Sequence, residues 1–599
     1  MDGAESMKEK KGKSMKPFEK KTEESKPDIL DELLALLKRL LNCFLRCVMC
    51  GCYHGDESDR MTVEHDNSGE ILLDSEKQAV KSLLLYLENV ETKNFVLKGD
   101  QIRALNVLTY SDNVELQRSA ALCFSEISQK MKCPMTHGMA RPLIDLLKSR
   151  DTQVQKAATL AVCSFALSRP DKNKDLMLRC DAFPALLKLL NSESVEVQSN
   201  TCACIITLAT KDQLKTFIVT ENGFNPLLNL LMSHDLRVQC NAAGAILNLT
   251  HLESNRNAIV NRGAIPVLVE ALHSPDGDVQ YHCLASLCNI ALNKKYRTMM
   301  TAVGHHDVLK RLIRLISSES EKVKCQACIA LRNLAADDDN QCFIAQYGGV
   351  PTLHQALKSN NPETKIAVMG CIRNLSLHKM NESILVQSDI LSDIGALLCD
   401  HRNPEAQKHA AGTIRNLAIG ENLKVIAETQ CVKKLAALVL SRETKMDVLA
   451  EVTAALAVLA DQDEVKYWLV QISDGQLFIK LVTLASLSSH TEVRYNSAGI
   501  LGQISLIVIP TRVKLESLQG IVLYIDTFLK SSDPSFVHIA LWTLVQHLKD
   551  EVFLKAFRDH SIESVISHIV ESHDGYAIGE LVQCVMKYLQ VEESDSGCD

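Results

Sequence analysis

Three arginines stand directly before asparagines in three similar sequence words, and their chemistry suits the binding of a carboxylate. Arg332, Arg373 and Arg415 occur in LRNL, IRNL and IRNL. Arginine binds a carboxylate through two parallel hydrogen bonds. Helices that pack side by side lie about 8–10 Å apart, so three guanidinium groups on neighbouring helices form a strip of like charges that requires an acidic partner. That partner is either an acidic or carbonyl-rich segment of a ligand, or an internal carboxylate. The internal candidates are Asp337, Asp338 and Asp339.

An asparagine follows the same period over a longer stretch of the chain. A side-chain amide both donates and accepts hydrogen bonds, so a row of amides suits the backbone of an extended peptide. The alternative is that each asparagine caps or braces its own repeat. The asparagines lie at steps of 41, 44, 41 and 42 residues, and they are Asn248, Asn289, Asn333, Asn374 and Asn416.

The sequence words that carry these residues define a repeat. VKCQACIALRNLA (323–335) has relatives at 238–250, 279–291, 364–376 and 406–418. Prolines keep the same period where apolar runs begin, at Pro142, Pro184, Pro226, Pro266 and Pro351. Helical units of about 42 residues without a strand pattern are typical of armadillo or HEAT repeats. The sequence therefore predicts an all-α, right-handed superhelical armadillo-repeat solenoid, in which the third helix of each repeat lines a concave groove.

The predicted third helices indicate about eleven repeats over residues 71–590, after an extra helix pair. Outside the repeats we expect a Lys-rich disordered arm (1–27), an amphipathic segment with clustered cysteines (28–52), a polar linker (53–70) and an acidic tail (591–599). The predicted helix starts are Val114, Val154, Val197, Val238, Val279, Val323, Thr364, Ala406, Val448, Val493 and Val537.

The amphipathic segment carries the features of a membrane anchor. On a helix, residues 28–48 gather their charged side chains on one narrow face, and apolar residues cover most of the remainder. The segment holds too many charges to span a bilayer, so it is typical of a helix lying in the membrane plane. A helix packed on the solenoid as an N-terminal cap is the alternative.

Four cysteines on or beside that helix are candidates for reversible S-acylation. They are Cys43, Cys47, Cys50 and Cys52. Cys47, Cys50 and Cys52 together with His54 are also possible zinc ligands, although they are crowded and no second cysteine pair lies at the usual spacing. Unmodified thiols are the third alternative.

Composition excludes several classes of protein. The net charge of −8 argues against general nucleic-acid binding. Many of the 21 cysteines occupy alanine-like positions on predicted helices, which is typical of a protein facing the reducing cytosol. The chain has no Gly-rich phosphate loop, no G-x-S-x-G and no H-E-x-x-H, and His305 and His306 fall in a predicted turn. We therefore expect no enzyme activity, no cofactor and no structural metal.

Three stretches of the repeat region resemble the vacuolar protein 8 family, which are fungal armadillo-repeat proteins of the vacuole membrane. The stretches are YSDNVELQRSAALCFSEIS (110–128), VKCQACIALRNLA (323–335) and HIALWTLVQHL (538–548), and the resemblance covers roughly residues 70–590. It implies a scaffold that is acylated near its N-terminus, lies on the cytosolic face of the vacuole and binds unstructured partner segments in its groove. It also implies an arginine triad at Arg332, Arg373 and Arg415.

The resemblance implies partners and roles as well. The partners are a nuclear-envelope protein at nucleus–vacuole junctions, an autophagy-initiation subunit and a myosin adaptor, and self-association is left open. The roles are vacuole inheritance, nucleus–vacuole contact, vacuole fusion and selective autophagy by cytoplasm-to-vacuole targeting. Family members usually begin Met-Gly, whereas Asp2 follows Met1 here. We therefore expect the amphipathic helix to supply the membrane signal that a myristoyl chain supplies elsewhere.

Two other armadillo proteins are alternatives. A nuclear-import adaptor sets a tryptophan four residues before each ladder asparagine, whereas those positions here are Gly244, Ala285, Ile329, Gly370 and Gly412. A catenin-like adhesion or signalling adaptor has similar groove chemistry but lacks the acylatable N-terminal segment.

Overall fold

The computed structural model describes residues 73–89, 97, 99–131, 133–168, 170–387, 389–572 and 576–590. The predicted arm, membrane-associating segment, linker and acidic tail lie outside these residues. Within the described ranges every regular element is helical, and the all-α armadillo-repeat fold predicted from the sequence is confirmed. None of the helices in these ranges combines the length and apolar character that a bilayer span requires.

The chain divides into two compact units, and the first ends at Leu189. Its described helices are α1 (Asp74–Asn89), α2 (Gly99–Thr109), α3 (Val114–Lys130), α4 (His137–Leu146), α5 (Thr152–Ser168), α6 (Pro170–Arg179) and α7 (Ala182–Leu189). Helices α1 and α2 pack on each other, as do α3 and α5. The pair α1–α2 occupies the place where the sequence suggests an extra helix pair before the first full repeat.

The second unit begins at Leu190 and holds the remaining helices. Its first half comprises α8 (Val195–Leu208), α9 (Asp212–Thr220), α10 (Phe224–Leu231), α11 (Leu236–Thr250), α12 (Glu253–Asn261), α13 (Ala264–Ala271), α14 (Gly277–Ala291), α15 (Lys294–Ala302), α16 (Asp307–Leu315), α17 (Glu321–Leu334), α18 (Asp338–Gln346), α19 (Gly349–Ala356) and α20 (Pro362–Leu375). Its second half comprises α21 (Lys379–Gln387), α22 (Ile390–Leu398), α23 (Pro404–Ala418), α24 (Leu423–Ala427), α25 (Cys431–Leu440), α26 (Met446–Leu459), α27 (Asp463–Gln471), a 3₁₀ turn (Ile472–Gly475), α28 (Gln476–Leu487), α29 (Thr491–Ile504), α30 (Thr511–Leu529), α31 (Pro534–His547), α32 (Glu551–Asp559), α33 (Ile562–Ser572) and α34 (Tyr576–Gln590).

Each predicted repeat start lies at or within a few residues of the start of a helix. Several of these third helices begin where a short polar side chain caps the helix. Asp235, Asp276 and Asn361 accept hydrogen bonds from the first free backbone N–H groups of α11, α14 and α20. Such caps stabilise a helix by about 1 kcal/mol each. The turns before the third helices therefore carry their own stop and start signals.

The glutamine that follows the first residue of the repeat word, Val238, Val279 or Ala406, has a structural role at the same place. Gln239 donates to the Leu231 carbonyl, Gln280 to the Ser274 carbonyl and Gln407 to the Leu398 carbonyl. Each bond satisfies a carbonyl at or just after the end of the preceding second helix, which lacks an intrahelical partner. In these three repeats the glutamine thus links the start of the third helix to the end of the second.

Cysteines serve as small core residues, as their alanine-like positions indicated. Cys202, Cys283, Cys328 and Cys371 are fully buried, and no disulfide joins the cysteines that the structure describes. Burial raises the pKa of the Cys371 thiol to about 12, so this thiol stays protonated. These side chains therefore pack as hydrophobic groups rather than as nucleophiles or metal ligands.

The repeat between α29 and α31 departs from the three-helix pattern. A single helix of 19 residues, α30, replaces the first and second helices of that unit. Its Tyr524 is fully buried and its Phe528 packs edge-on against Phe536 of α31. Beyond α31, helix α34 packs on α31 at a position that the eleven predicted starts do not include. The C-terminal end of the second unit is thus less regular than the sequence words indicated.

One core histidine makes stability depend on pH. His547 of α31 is 3% exposed, and burial lowers its pKa to about 4, with Asp550 acting to raise the pKa and Lys514 to lower it. Between about pH 6.5 and 4 the unfolded chain binds a proton that the folded chain does not, so the free energy of unfolding falls as the pH falls. At pH 5 we expect this site to remove about 2 kcal/mol.

The free energy of unfolding of the variant His547→Leu should therefore fall by about 2 kcal/mol less than that of wild type between about pH 7 and pH 5. Chemical denaturation at the two pH values measures this difference. His538→Leu, at an exposed position on the same helix, is the matched control. An equal loss of stability on acidification in wild type and His547→Leu would contradict the assignment.

Candidate functional site

The third helices that carry the arginines and asparagines are direct neighbours in the second unit. Helix α17 packs on α20, α20 on α23, and α23 on α26. We call Asn248, Asn289, Asn333, Asn374 and Asn416 the Asn ladder, and Arg332, Arg373 and Arg415 the Arg strip. Except for Asn416, which is 7% exposed, these side chains are half-buried. The packing thus places the residues that the sequence singled out on the third helices of consecutive repeats.

Every amide of the Asn ladder donates a hydrogen bond to the preceding third helix or to the residue that follows it. Asn374 donates to the Arg332 carbonyl at 2.9 Å, and Asn416 to the Arg373 carbonyl at 3.3 Å and the Ser376 hydroxyl at 3.1 Å. Asn248, Asn289 and Asn333 make similar bonds, to the carbonyls of Ile206 and Ala209, to the Thr250 hydroxyl and to the Cys288 carbonyl. The ladder therefore braces each repeat on the one before it. A carboxamide has two N–H groups and an acceptor oxygen, so this bracing uses only part of its capacity.

Two members of the Arg strip share one internal carboxylate. Arg373 Nη2 donates to Glu451 Oε1, and Arg415 Nη1 lies 2.8 Å from Glu451 Oε2. Glu451 Oε2 is buried and accepts no hydrogen bond from the described residues. The second contact is therefore an ion pair without a hydrogen bond. The side chain of Glu451 is 14% exposed, against 22% for Arg373 and 28% for Arg415.

The third arginine has no such partner. No carboxylate of the described residues lies within ion-pair distance of the Arg332 guanidinium. Arg332 crosses α20 above Gly370, since a Cβ at Gly370 would lie 2.7 Å from Arg332 Cδ. Arg373 crosses α23 in the same way above Gly412, where a Cβ would lie 2.7 Å from Nε. Because glycine has no Cβ, these two positions leave room for the arginine side chains to pack against the backbone of α20 and α23.

The position that corresponds to Glu451 in the preceding repeat is a histidine. His409 of α23 is 42 residues before Glu451, so the two occupy one register position on consecutive third helices. Burial first, and then the positive charge of Arg373, lower the pKa of His409 to about 4, against an opposite effect of Glu405. The imidazole is therefore neutral near pH 7, and its buried Nδ1 has no hydrogen-bond partner in the described structure.

The internal partners suggested for the strip were Asp337, Asp338 and Asp339, and this suggestion is wrong. Asp337 instead forms a two-bond ion pair with Arg297, at 2.8 and 2.9 Å. Asp338 and Asp339 lie in the first turn of α18, where negative charge is favourable. The carboxylate that does meet the strip, Glu451, lies two third helices along the chain from Arg373 and was missed.

Beyond Glu451 the same surface becomes acidic and aromatic. A pocket of about 520 Å³ is lined by Arg415 and Glu451 at one end and by residues of α29 and α31 at the other. The latter include Glu492, Tyr495, Asn496 and Phe536. The rings of Tyr495 and Phe536 lie 5.4 Å apart. The third-helix surface is therefore basic around the strip and acidic and aromatic after it.

Other predicted site residues lie elsewhere. Cys43, Cys47, Cys50 and Cys52, together with the zinc alternative that includes His54, lie outside the described residues. His305 and His306 both have positive φ, in a turn as expected, and His306 stacks on Phe343 at 4.0 Å.

Comparison with known proteins identifies the family. The Armadillo/beta-catenin-like repeat model matches residues 170–205, 211–251, 253–292 and 301–336. Vacuolar protein 8 of Schizosaccharomyces pombe is 47% identical over 485 residues, which cover 80% of this chain and 86% of that relative. The chain belongs to the vacuolar protein 8 family. The relatives from Candida albicans and Saccharomyces cerevisiae are 44% and 40% identical, and cover 80% and 84% of this chain and 82% and 85% of their own lengths.

Solved structures support the fold of this vacuolar protein 8 family member. An engineered protein with 27% identity covers 72% of this chain and 99% of its own, with a TM-score of 0.57. A chain from a study of a phosphorylation switch in the interaction between cadherin and beta-catenin covers 87% of this chain and 96% of its own. Its TM-score is 0.60 at 16% identity, which shows the shared fold alone. The relatives from the three fungi confirm the family resemblance inferred from the sequence.

Proposed function

We propose that this protein is a vacuole-membrane scaffold whose third-helix surface binds extended segments of partner proteins. The observation that carries the proposal is the Arg strip, in which three guanidinium groups lie on consecutive third helices and one internal carboxylate, Glu451, pairs with two of them. Like charges held close together are unfavourable unless anions approach them. A partner's acidic side chain or backbone carbonyl supplies that anion, and arginine matches the planar geometry of a carboxylate.

The Asn ladder supports an extended rather than a helical ligand. Its amides lie on successive helices, and each retains hydrogen-bonding capacity after bracing the preceding repeat. A disordered segment that pairs with these amides pays an entropic cost on binding, and the charged contacts of the strip offset it. Such segments are expected in a nuclear-envelope protein of nucleus–vacuole junctions, an autophagy-initiation subunit and a myosin adaptor.

These partners define the roles that we propose. They are vacuole inheritance, nucleus–vacuole contact, vacuole fusion and cytoplasm-to-vacuole targeting. The vacuolar location is that carried by the names of the curated relatives. The protein acts by bringing partners together on the cytosolic face of the vacuole, with no chemical step of its own.

Attachment to that membrane is proposed to rest on two signals. The first is the apolar face of the amphipathic segment 28–48, and the second is S-acylation of Cys43, Cys47, Cys50 and Cys52. One weak signal gives only marginal and reversible binding, whereas two together give stable anchoring. The Lys-rich arm adds attraction to anionic lipid headgroups.

A glycine substitution tests whether the strip binds the ligand. Gly370→Ala places a Cβ 2.7 Å from Arg332 Cδ, so the Arg332 side chain must move. Because only a flexible side chain has to shift, we expect little change in the melting temperature. Binding of an acidic, unstructured peptide to the full chain should weaken about threefold to tenfold in a calorimetric titration.

Gly499→Ala is the matched control for that experiment. It lies on the third helix α29, and its Cβ would make only an ordinary contact, at 3.6 Å from Ile539 Cδ1. Binding should be unchanged in this variant. Unchanged binding in Gly370→Ala would argue against a ligand at the strip.

A further inference from the structure

Glu451 occupies the place that a ligand carboxylate would take on the Arg strip. Its two oxygens meet Arg373 and Arg415 from one point between them. It belongs to α26, whereas Arg373 belongs to α20, so the carboxylate is held across the surface of α23. The two arginines are thus partly neutralised before any partner arrives.

The same register position holds no carboxylate on the preceding third helices. It is Asn241 on α11, His282 on α14, Gln326 on α17, Ala367 on α20 and His409 on α23. Arg332 and Arg373 have matching positions, and each crosses a glycine toward the register residue two helices on. Arg373 meets Glu451 there, whereas the residue at the corresponding position for Arg332 is His409, which is neutral near pH 7. The strip therefore divides into a neutralised pair and one arginine without an ionic partner in the described structure.

We infer that Glu451 determines which partner segments the strip accepts, by acting as an internal competitor for their carboxylates. This inference rests on the proposed function of the strip. An acidic side chain at the level of Arg332 binds without competition. Further acidic side chains at the level of Arg373 and Arg415 must displace Glu451 or bear its repulsion. The surface thus selects segments with one acidic side chain in this stretch, and gains little from densely acidic ones.

The test compares two synthetic peptides of about fifteen residues, titrated into the full chain by calorimetry. An extended chain advances about 3.3 Å per residue, so this length spans several third helices. One peptide carries a single aspartate in a neutral sequence, and the other carries three aspartates, each separated by two neutral residues. Wild type should bind the two peptides with affinities within about threefold of each other.

Glu451→Gln keeps the shape of the side chain and removes its charge. We expect the three-aspartate peptide to bind about tenfold more tightly to this variant, and the single-aspartate peptide to change by less than about twofold. Glu451→Asp retains the charge but shortens the reach to both arginines, so its gain for the three-aspartate peptide should be smaller, about twofold to fivefold. If Glu451→Gln melts at a much lower temperature than wild type, the affinities of Glu451→Asp test the inference instead.

Two controls separate the possible outcomes. Glu253→Gln removes an exposed carboxylate from α12, which is not a third helix, and should change neither affinity. Arg332→Ala should weaken the single-aspartate peptide more than tenfold. If Arg332→Ala has this effect but neither Glu451 variant gains affinity for the three-aspartate peptide, Glu451 is only a structural brace and the inference is overturned. If wild type binds neither peptide, ligand binding by the strip fails, and the inference fails with it.

Discussion

Replacing Arg332, Arg373 and Arg415 together by alanine is expected to abolish most partner binding. A hydrogen bond to a charged group contributes about 1.5–3 kcal/mol, and about 1.4 kcal/mol corresponds to a tenfold change in affinity. Losing even one such contact should weaken binding more than tenfold, and losing all three should place it beyond calorimetric detection. The measurement is a titration of the full chain with a partner peptide, paired with a thermal melt.

The structure adds a control that this experiment needs. Alanine at positions 373 and 415 leaves the Glu451 carboxylate, 14% exposed, without a counter-charge. An uncompensated buried charge destabilises the fold by several kcal/mol. The triple variant that also carries Glu451→Gln removes this charge and should melt close to wild type. If the quadruple variant binds as tightly as wild type, the strip is not a binding site.

Changing Cys43, Cys47, Cys50 and Cys52 together to serine is expected to move the protein from the vacuole membrane to the cytosol. Without acyl chains only the amphipathic segment remains, and one signal of that kind gives marginal attachment. Live imaging of the tagged full chain measures the fraction at the vacuole rim. The matched control changes Cys399 and Cys584, two exposed cysteines of the repeat region, and should stay at the rim.

The opposite result has a clear meaning. If the quadruple serine variant remains at the vacuole rim, acylation of these cysteines does not anchor the protein. Combining it with Leu37→Asp and Leu41→Asp, which place charges on the apolar face of the segment, then tests the helix alone. Loss of rim signal only in the combined variant would assign the anchoring to residues 28–48.

The repeat architecture could be predicted because its signals are local and periodic. The Val-Gln words mark the third helices through caps such as Asp276 and through bonds such as that from Gln280 to the Ser274 carbonyl, which join residues close together in the sequence. The single long helix α30 could not be predicted in the same way. In other repeats a turn separates the first helix from the second, and a glycine of positive φ, such as Gly263 or Gly348, lies in that turn. Helix α30 continues through the corresponding position without a turn.

The site was predicted only in part, because its charge balance depends on a distant contact. The spacing of the asparagines and arginines follows the period, so their grouping could be derived from sequence. The pairing of Arg373 with Glu451 spans 78 residues, and no local pattern marks it. The suggested partners Asp337–Asp339 were near in sequence, but Arg297 takes the first of them. Comparing the same register position across repeats would have revealed Glu451 and His409.

The long reach of Arg373 has a consequence for how this array unfolds. Repeat proteins are usually described by the stability of each unit plus a coupling between adjacent units. Arg373 begins on α20, passes over Gly412 of α23 and ends at Glu451 on α26, so it couples units that are not adjacent. A description limited to neighbouring units therefore underestimates cooperativity in this stretch. Exchanging the repeat that contains α23 for a consensus unit with a larger residue in place of Gly412 would cut this coupling while leaving both flanking interfaces in place.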